Sequence, residues 1–139
     1  MKIWSLYALL SAVFAALTAI FAKLGLKGVP GNLATAIRTI VILVLAWVIV
    51  SFTGEWKELR HISKQHLIFL ILSGCATGMS WIFYFKALET GPVSKVAPID
   101  KLSVAIAMLL ASIFLKEPIE WKTALGGALI VFGAIMMIR

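Results

Sequence analysis

The sequence predicts an all-α integral membrane protein with five transmembrane helices, and three observations carry that prediction. Of its 139 residues, 62% are hydrophobic and 14% charged, and the mean hydropathy is +1.04. A soluble domain of this length needs a larger polar share to cover its surface. The apolar residues fall in five blocks, each near the length that crosses a bilayer, with short polar connections between them. Period-2 alternation is absent from these blocks, which argues against a transmembrane β-barrel.

The expected spans run from about Ile3 to Phe21, Leu33 to Phe52, Leu67 to Phe85, Val96 to Leu115 and Trp121 to Ile138. At 1.5 Å per residue each covers roughly 27–30 Å, the hydrocarbon thickness of a bilayer. The first run is too long for a signal peptide and is followed by no small-x-small cleavage site, so it is read as a retained helix. Gly28, Pro30 and Gly31 punctuate the first connection, and "ETGP" precedes the fourth span. Pro118 stands where the fifth helix is about to begin. The longest connection, "TGEWKELRHISKQH", reads as a polar loop with room for a short interfacial helix. Residues 1–139 form one domain on this reading.

Close approach of backbones is what holds helices together in lipid, because lipid tails are as apolar as leucine. Ser5, Ala8, Ala12, Ala15 and Ala19 line one face of the first span. Gly74 and Gly78 are spaced four apart in the third, and Gly126, Gly127 and Gly133 punctuate the fifth. These glycines have two readings: packing inside one chain, or a contact between two copies. Cys75 lies within the third apolar block and reads as a small packing residue.

The net charge of +7 does not point to nucleic acid, because no basic stripe interleaved with exposed aromatics is present. The lysines and arginines sit mostly in connections, where they meet headgroups and water. With five spans the termini lie on opposite sides. The N-terminal side carries Lys2, Lys57, Arg60, Lys64, Lys116 and Lys122. The other side carries Lys23, Lys27, Lys86, Lys95 and Arg139, with Arg38 and Lys101 reaching inward. An excess of Lys and Arg normally fixes the cytoplasmic side. Here the tally is nearly balanced, and either the long loop decides the orientation or both orientations occur. Trp4, Tyr7, Trp47, Trp56 and Trp121, with Trp81 and Tyr84 toward the opposite side, read as interfacial belts, with substrate stacking as the alternative role for Trp81.

An ionisable residue within a span costs roughly 2.5–3.5 kcal/mol on insertion scales, so each one is a functional candidate. Arg38 stands about a turn and a half into the second span, and Asp100 and Lys101 about one turn into the fourth. Neighbours in sequence point about 100° apart on a helix, so Asp100 and Lys101 are not expected to face each other. Asp100 shares a helical face with Ser103, Ala107 and Ala111, and Lys101 is long enough to snorkel. One reading brings Arg38 and Asp100 together as a substrate or ion-coupling pair. The other places Asp100 in the favourable first turn of its helix and leaves the cations to snorkel. Pro98 is expected in the opening turn of the fourth span, where a missing N–H costs little. His61 and His66 make no metal site, and no nucleophile–base pair, phosphate loop or cofactor motif is present. An enzyme is not expected.

The stretch Lys86–Met137, with Ala87-Leu88, Gly91, Ser94, Pro98, Leu115-x-Glu117, Gly126-Gly127-Ala128 and Gly133, resembles the C-terminal part of the EamA domain. That domain belongs to the drug/metabolite transporter superfamily. Lys23, Leu33-Ala34 and Arg38 resemble its first half, so the resemblance covers nearly the whole chain as one five-helix repeat. The family's usual later proline is replaced around Ser103 and Val104, and its apolar positions are replaced by Asp100 and Lys101. The essential first-helix glutamate of the small multidrug exporters has no counterpart, with Ala15 near that position.

The resemblance implies a half-size, multi-pass transporter of small metabolites or drugs in the inner membrane. Typical members carry two repeats, the second inverted, and such repeats work by alternating access. A single repeat then implies a homodimer of opposite orientations, which the balanced charge tally would permit. The alternatives are a non-transporting membrane subunit or one half of a heterodimeric transporter. The partners implied are the lipid bilayer, a small-molecule substrate and a second copy.

Overall fold

The structure, a computed structural model, describes residues 3–138 and is helical, with no strand among them. Lys2 and Arg139 of the charge tally lie outside the described residues. Among the described residues, five helices are long and apolar enough to cross a membrane. Helix α1 spans Ile3–Gly25 and α2 spans Gly31–Thr53. Between them the chain turns through Gly28, whose φ of 77° is left-handed, and Pro30, which is extended. Gly54, also left-handed at φ 74°, ends α2 and opens a 3₁₀-helix at Glu55–His61. This short helix is the one the long loop has room for. Helix α3 spans Lys64–Thr90, and the Ser63 hydroxyl caps it by accepting the His66 N–H at 3.3 Å.

The fourth span, Val93–Phe114, is two helices, α4 at Val93–Asp100 and α5 at Leu102–Phe114. It starts earlier than hydropathy suggests. Pro92, with φ −73°, presets the entry, and its carbonyl accepts the N–H groups of Lys95 and Val96. Pro98 therefore lies inside α4 rather than in an opening turn. It brings no N–H to the helix, and the bonding beyond it shortens to three-residue steps. Lys101 N–H donates to the Pro98 carbonyl at 3.1 Å, and Val104 N–H to the Lys101 carbonyl at 3.0 Å. Helix α6 spans Trp121–Ile138.

Hydroxyls inside the spans are satisfied locally, as an apolar solvent demands. Thr35, Thr39, Ser51 and Thr77 each donate to the carbonyl four residues back, at 2.8–2.9 Å. Most large apolar side chains are exposed, which suits surfaces that meet lipid.

The chain divides into two compact units, Met1–Ile20 with Thr90–Arg139, and Phe21–Glu89. In the first, α4 and α5 both pack on α6. Gly127 of α6 is buried there, and a Cβ at that position would sit 3.0 Å from Met108 Cε. Val96 and Ala134 are also buried. In the second unit the buried residues are Ala22 and Leu26, Gly31 and Thr35 of α2, and Phe85 and Leu88 of α3. Gly31 marks a close approach of two backbones. A Cβ there would lie 3.3 Å from the Phe85 carbonyl carbon and 3.4 Å from Lys86 N.

The other small residues behave differently. A Cβ added at Gly74, Gly78, Gly126 or Gly133 would meet no atom within 4 Å among the described residues. Of the glycines expected to pack, Gly127 alone has a close neighbour of this kind. Cys75, read from the sequence as a packing residue, is exposed on α3.

Candidate functional site

Two stripes meet in the second unit. On α2, Gly31, Thr35 and Arg38 recur at four- and three-residue steps, and on α3, Trp81, Phe85 and Leu88 do the same. Such steps put each trio on one helical face. Gly31 lies against the last turns of α3 and Arg38 against residues one to two turns earlier, so the two helices run antiparallel here.

The lower end of this seam is closed by polar contacts. The Gly31 N–H donates to Glu89 Oε2 at 3.2 Å, which sets a carboxylate at the positive end of α2. The Lys23 ammonium donates to the Leu88 carbonyl, tying the end of α1 to α3. Thr35 then turns its hydroxyl back onto the Gly31 carbonyl at 2.9 Å and leaves the space above it to Arg38.

Arg38 is clamped by aromatic rings. Its guanidinium carbon lies 4.5 Å from the Phe85 ring centroid and 5.4 Å from that of Trp81. Cation–π contacts of this kind contribute about 0.5–2 kcal/mol each, more as the site is desolvated. Phe85 is fixed in turn, being 1% exposed and edge-on to Tyr84 with centroids 6.0 Å apart. Arg38 Nη1 is buried and finds no hydrogen-bond partner among the described residues. Ring faces satisfy part of the charge but accept no hydrogen bond from that in-plane nitrogen. A buried, unsatisfied donor costs about 1–3 kcal/mol, more when it is charged.

The second candidate lies in the first unit, at the break between α4 and α5. Asp100 Oδ2 and Lys101 Nζ form an ion pair at 3.5 Å, with side chains 36% and 54% exposed. This corrects the expectation that the two point apart. The helix ends between them, and lysine's four-carbon stem folds back across the break. Asp100 is also the last residue of α4 rather than a first-turn residue. Ser103, expected to share its face, belongs to the next helix and is exposed. Each candidate charge thus has its own partners within its own unit.

Sequence reasoning singled out Arg38 and Asp100 but missed what surrounds Arg38. Trp81 was assigned to an interfacial belt, Phe85 to the end of a span, and Glu89 to a connection. The signal was present in the two face-sharing trios, at matching distances from the "VPGN" and "ETGP" turns. Nothing local says that those two faces meet.

The profile of the EamA-like transporter family matches residues 2–139. A protein of Sinorhizobium sp., described as an uncharacterized transporter in the cobO 3′ region, is 46% identical over 134 residues. The match covers 96% of this chain and 95% of that protein. An uncharacterized protein of Methanocaldococcus jannaschii is 26% identical over 100 residues, covering 66% of this chain and 73% of its own length. No solved structure matches the chain significantly.

Proposed function

The chain belongs to the EamA-like transporter family, and on that premise we propose that it carries small metabolites or drugs across the inner membrane by alternating access. The working unit on this reading is a homodimer of two oppositely oriented copies. The observation that carries it is a single five-helix repeat with Lys and Arg nearly balanced between its two sides. The Sinorhizobium protein, described as a transporter, matches along 95% of its own length. Two inverted copies supply what tandem members hold in one chain, a midplane site between repeats that rock against each other.

Within each copy, Arg38 and Asp100 are the substrate- or ion-coupling residues of this reading, with Lys101 and Ser103 beside Asp100. Asp100 stands where span four tightens to three-residue hydrogen bonding around Lys101, and irregular turns within spans are where transporters of several folds place their sites. Gly74, Gly78, Gly126 and Gly133 are the residues proposed to let a second copy approach.

The test begins with tags on both termini and accessibility measured from each side of the membrane. Both tags are expected on both sides, in comparable amounts. One fixed orientation removes the antiparallel homodimer and leaves a heterodimeric half or a subunit. Flux of a metabolite panel into proteoliposomes then separates a transporter from a non-transporting subunit.

A further inference from the structure

Arg38 is held in a way that snorkelling does not require. A snorkelling arginine extends its guanidinium toward water and phosphate. This one begins eight residues into α2, about 10 Å along the axis, and is laid against Phe85 and Trp81 of the neighbouring helix. Nη1 is buried there without a hydrogen-bond partner among the described residues. Thr35 and Thr39 on its own helix turn their hydroxyls onto backbone carbonyls, and neither oxygen accepts from Nη1. The rings fix the position of the guanidinium, and the N–H groups of Nη1 are left over.

We infer that this is a binding site for the oxyanion of a small solute, with Arg38 as the charge-assisted donor and the Trp81 and Phe85 rings as its clamp. A guanidinium fork matches a carboxylate or phosphate edge, and such bonds are the short, strong ones. A monoanion fits best, because a single cation in apolar surroundings offsets the desolvation of one negative charge and not two. The substrate class is therefore a small organic acid presenting a carboxylate. The inference rests on the transport reading for its role, but the site itself is a binding claim.

The test uses Trp81 as the reporter. Replacing Trp4, Trp47, Trp56 and Trp121 by Phe leaves it as the one tryptophan of the five. The full chain in a zwitterionic detergent is titrated with sodium acetate, inorganic phosphate and phosphatidylglycerol, with ionic strength held by chloride. A saturable change in Trp81 emission with acetate is expected, and Arg38→Gln should weaken it about tenfold or more. Arg38→Lys, which keeps the charge but not the fork, should fall between. Should Arg38→Gln fail to fold, acetate must still shield Arg38, and not Arg60, from phenylglyoxal in the unmutated protein. An unchanged emission, equal responses in Arg38→Gln, or a response to phosphatidylglycerol alone overturns the inference. Saturable, Arg38-independent flux of neutral or cationic solutes would sink the site while leaving the transporter standing. Acetate binding without flux of any solute would do the reverse.

Discussion

The guanidinium of Arg38 on α2 sits over the face of Phe85 on α3, 4.5 Å from the ring centroid, and Phe85 is almost fully buried. The ring therefore does two jobs: it fills the core of the second unit and it stabilises a charge within a membrane span. The two roles separate by mutation. Phe85→Leu keeps an apolar core side chain and removes the quadrupole. In a double-mutant cycle with Arg38→Met, the coupling is expected at about 0.5–2 kcal/mol. Thermal unfolding of the four proteins in detergent measures it, and a coupling near zero would mean that the ring only packs.

Glycines 31 and 127 both have close neighbours, but of different kinds. A methyl at Gly31 meets backbone atoms of Phe85 and Lys86, which cannot move without shifting α3. Gly31→Ala should destabilise the protein by about 1–3 kcal/mol, as overpacking does. A methyl at Gly127 meets the far end of Met108, a flexible side chain that can swing aside. Gly127→Ala gains helix propensity of about 0.8–1 kcal/mol against that adjustment, so its net effect should be small. Melting temperatures of the two variants, measured side by side, check the ordering.

Lys116 is the one non-glycine residue among those described with a left-handed backbone, at φ 54°. It follows α5, and beyond it the Glu117 N–H returns to the Ala111 carbonyl at 3.4 Å. A glycine takes this conformation without the Cβ clash. Lys116→Gly should raise stability by up to about 1 kcal/mol, whereas Lys116→Val should lower it. Equal melting temperatures for the two variants would refute the argument.

Glu89 holds the first turn of α2 through the Gly31 N–H. Glu89→Gln keeps an acceptor and loses the charge at the helix start, so a loss of about 0.3–1 kcal/mol is expected. Glu89→Ala removes the acceptor as well and should cost more. Hydrogen exchange at the α2 N-terminus, faster in the alanine variant, is the direct readout.

The sequence by itself determined the class, the number of spans and the positions of the intramembrane charges. Each of these is local. A run of about 20 apolar residues must form a helix in lipid, because its backbone has no other partner there. Glycine and proline at "KGVPGN" and "ETGP" end helices for equally local reasons. The family motifs are local too, which is why they were readable over nearly the whole chain.

Only the tertiary structure decided which faces meet. In a soluble helix the apolar stripe names the buried side. Here every side is apolar, since lipid and protein core look alike to a side chain, and the pattern is silent. That is why Gly31 and Gly127, rather than Gly74 and Gly78, turned out to have close neighbours within the chain. It is also why the Pro98 break and the fold-back of Lys101 onto Asp100 were missed. A shift of a few residues in where α4 begins turns an opening-turn proline into an interior one. The Arg38 clamp is the same case. Arg38 stands more than 40 residues from both rings in the sequence, and the meeting of two faces across that distance makes them a site.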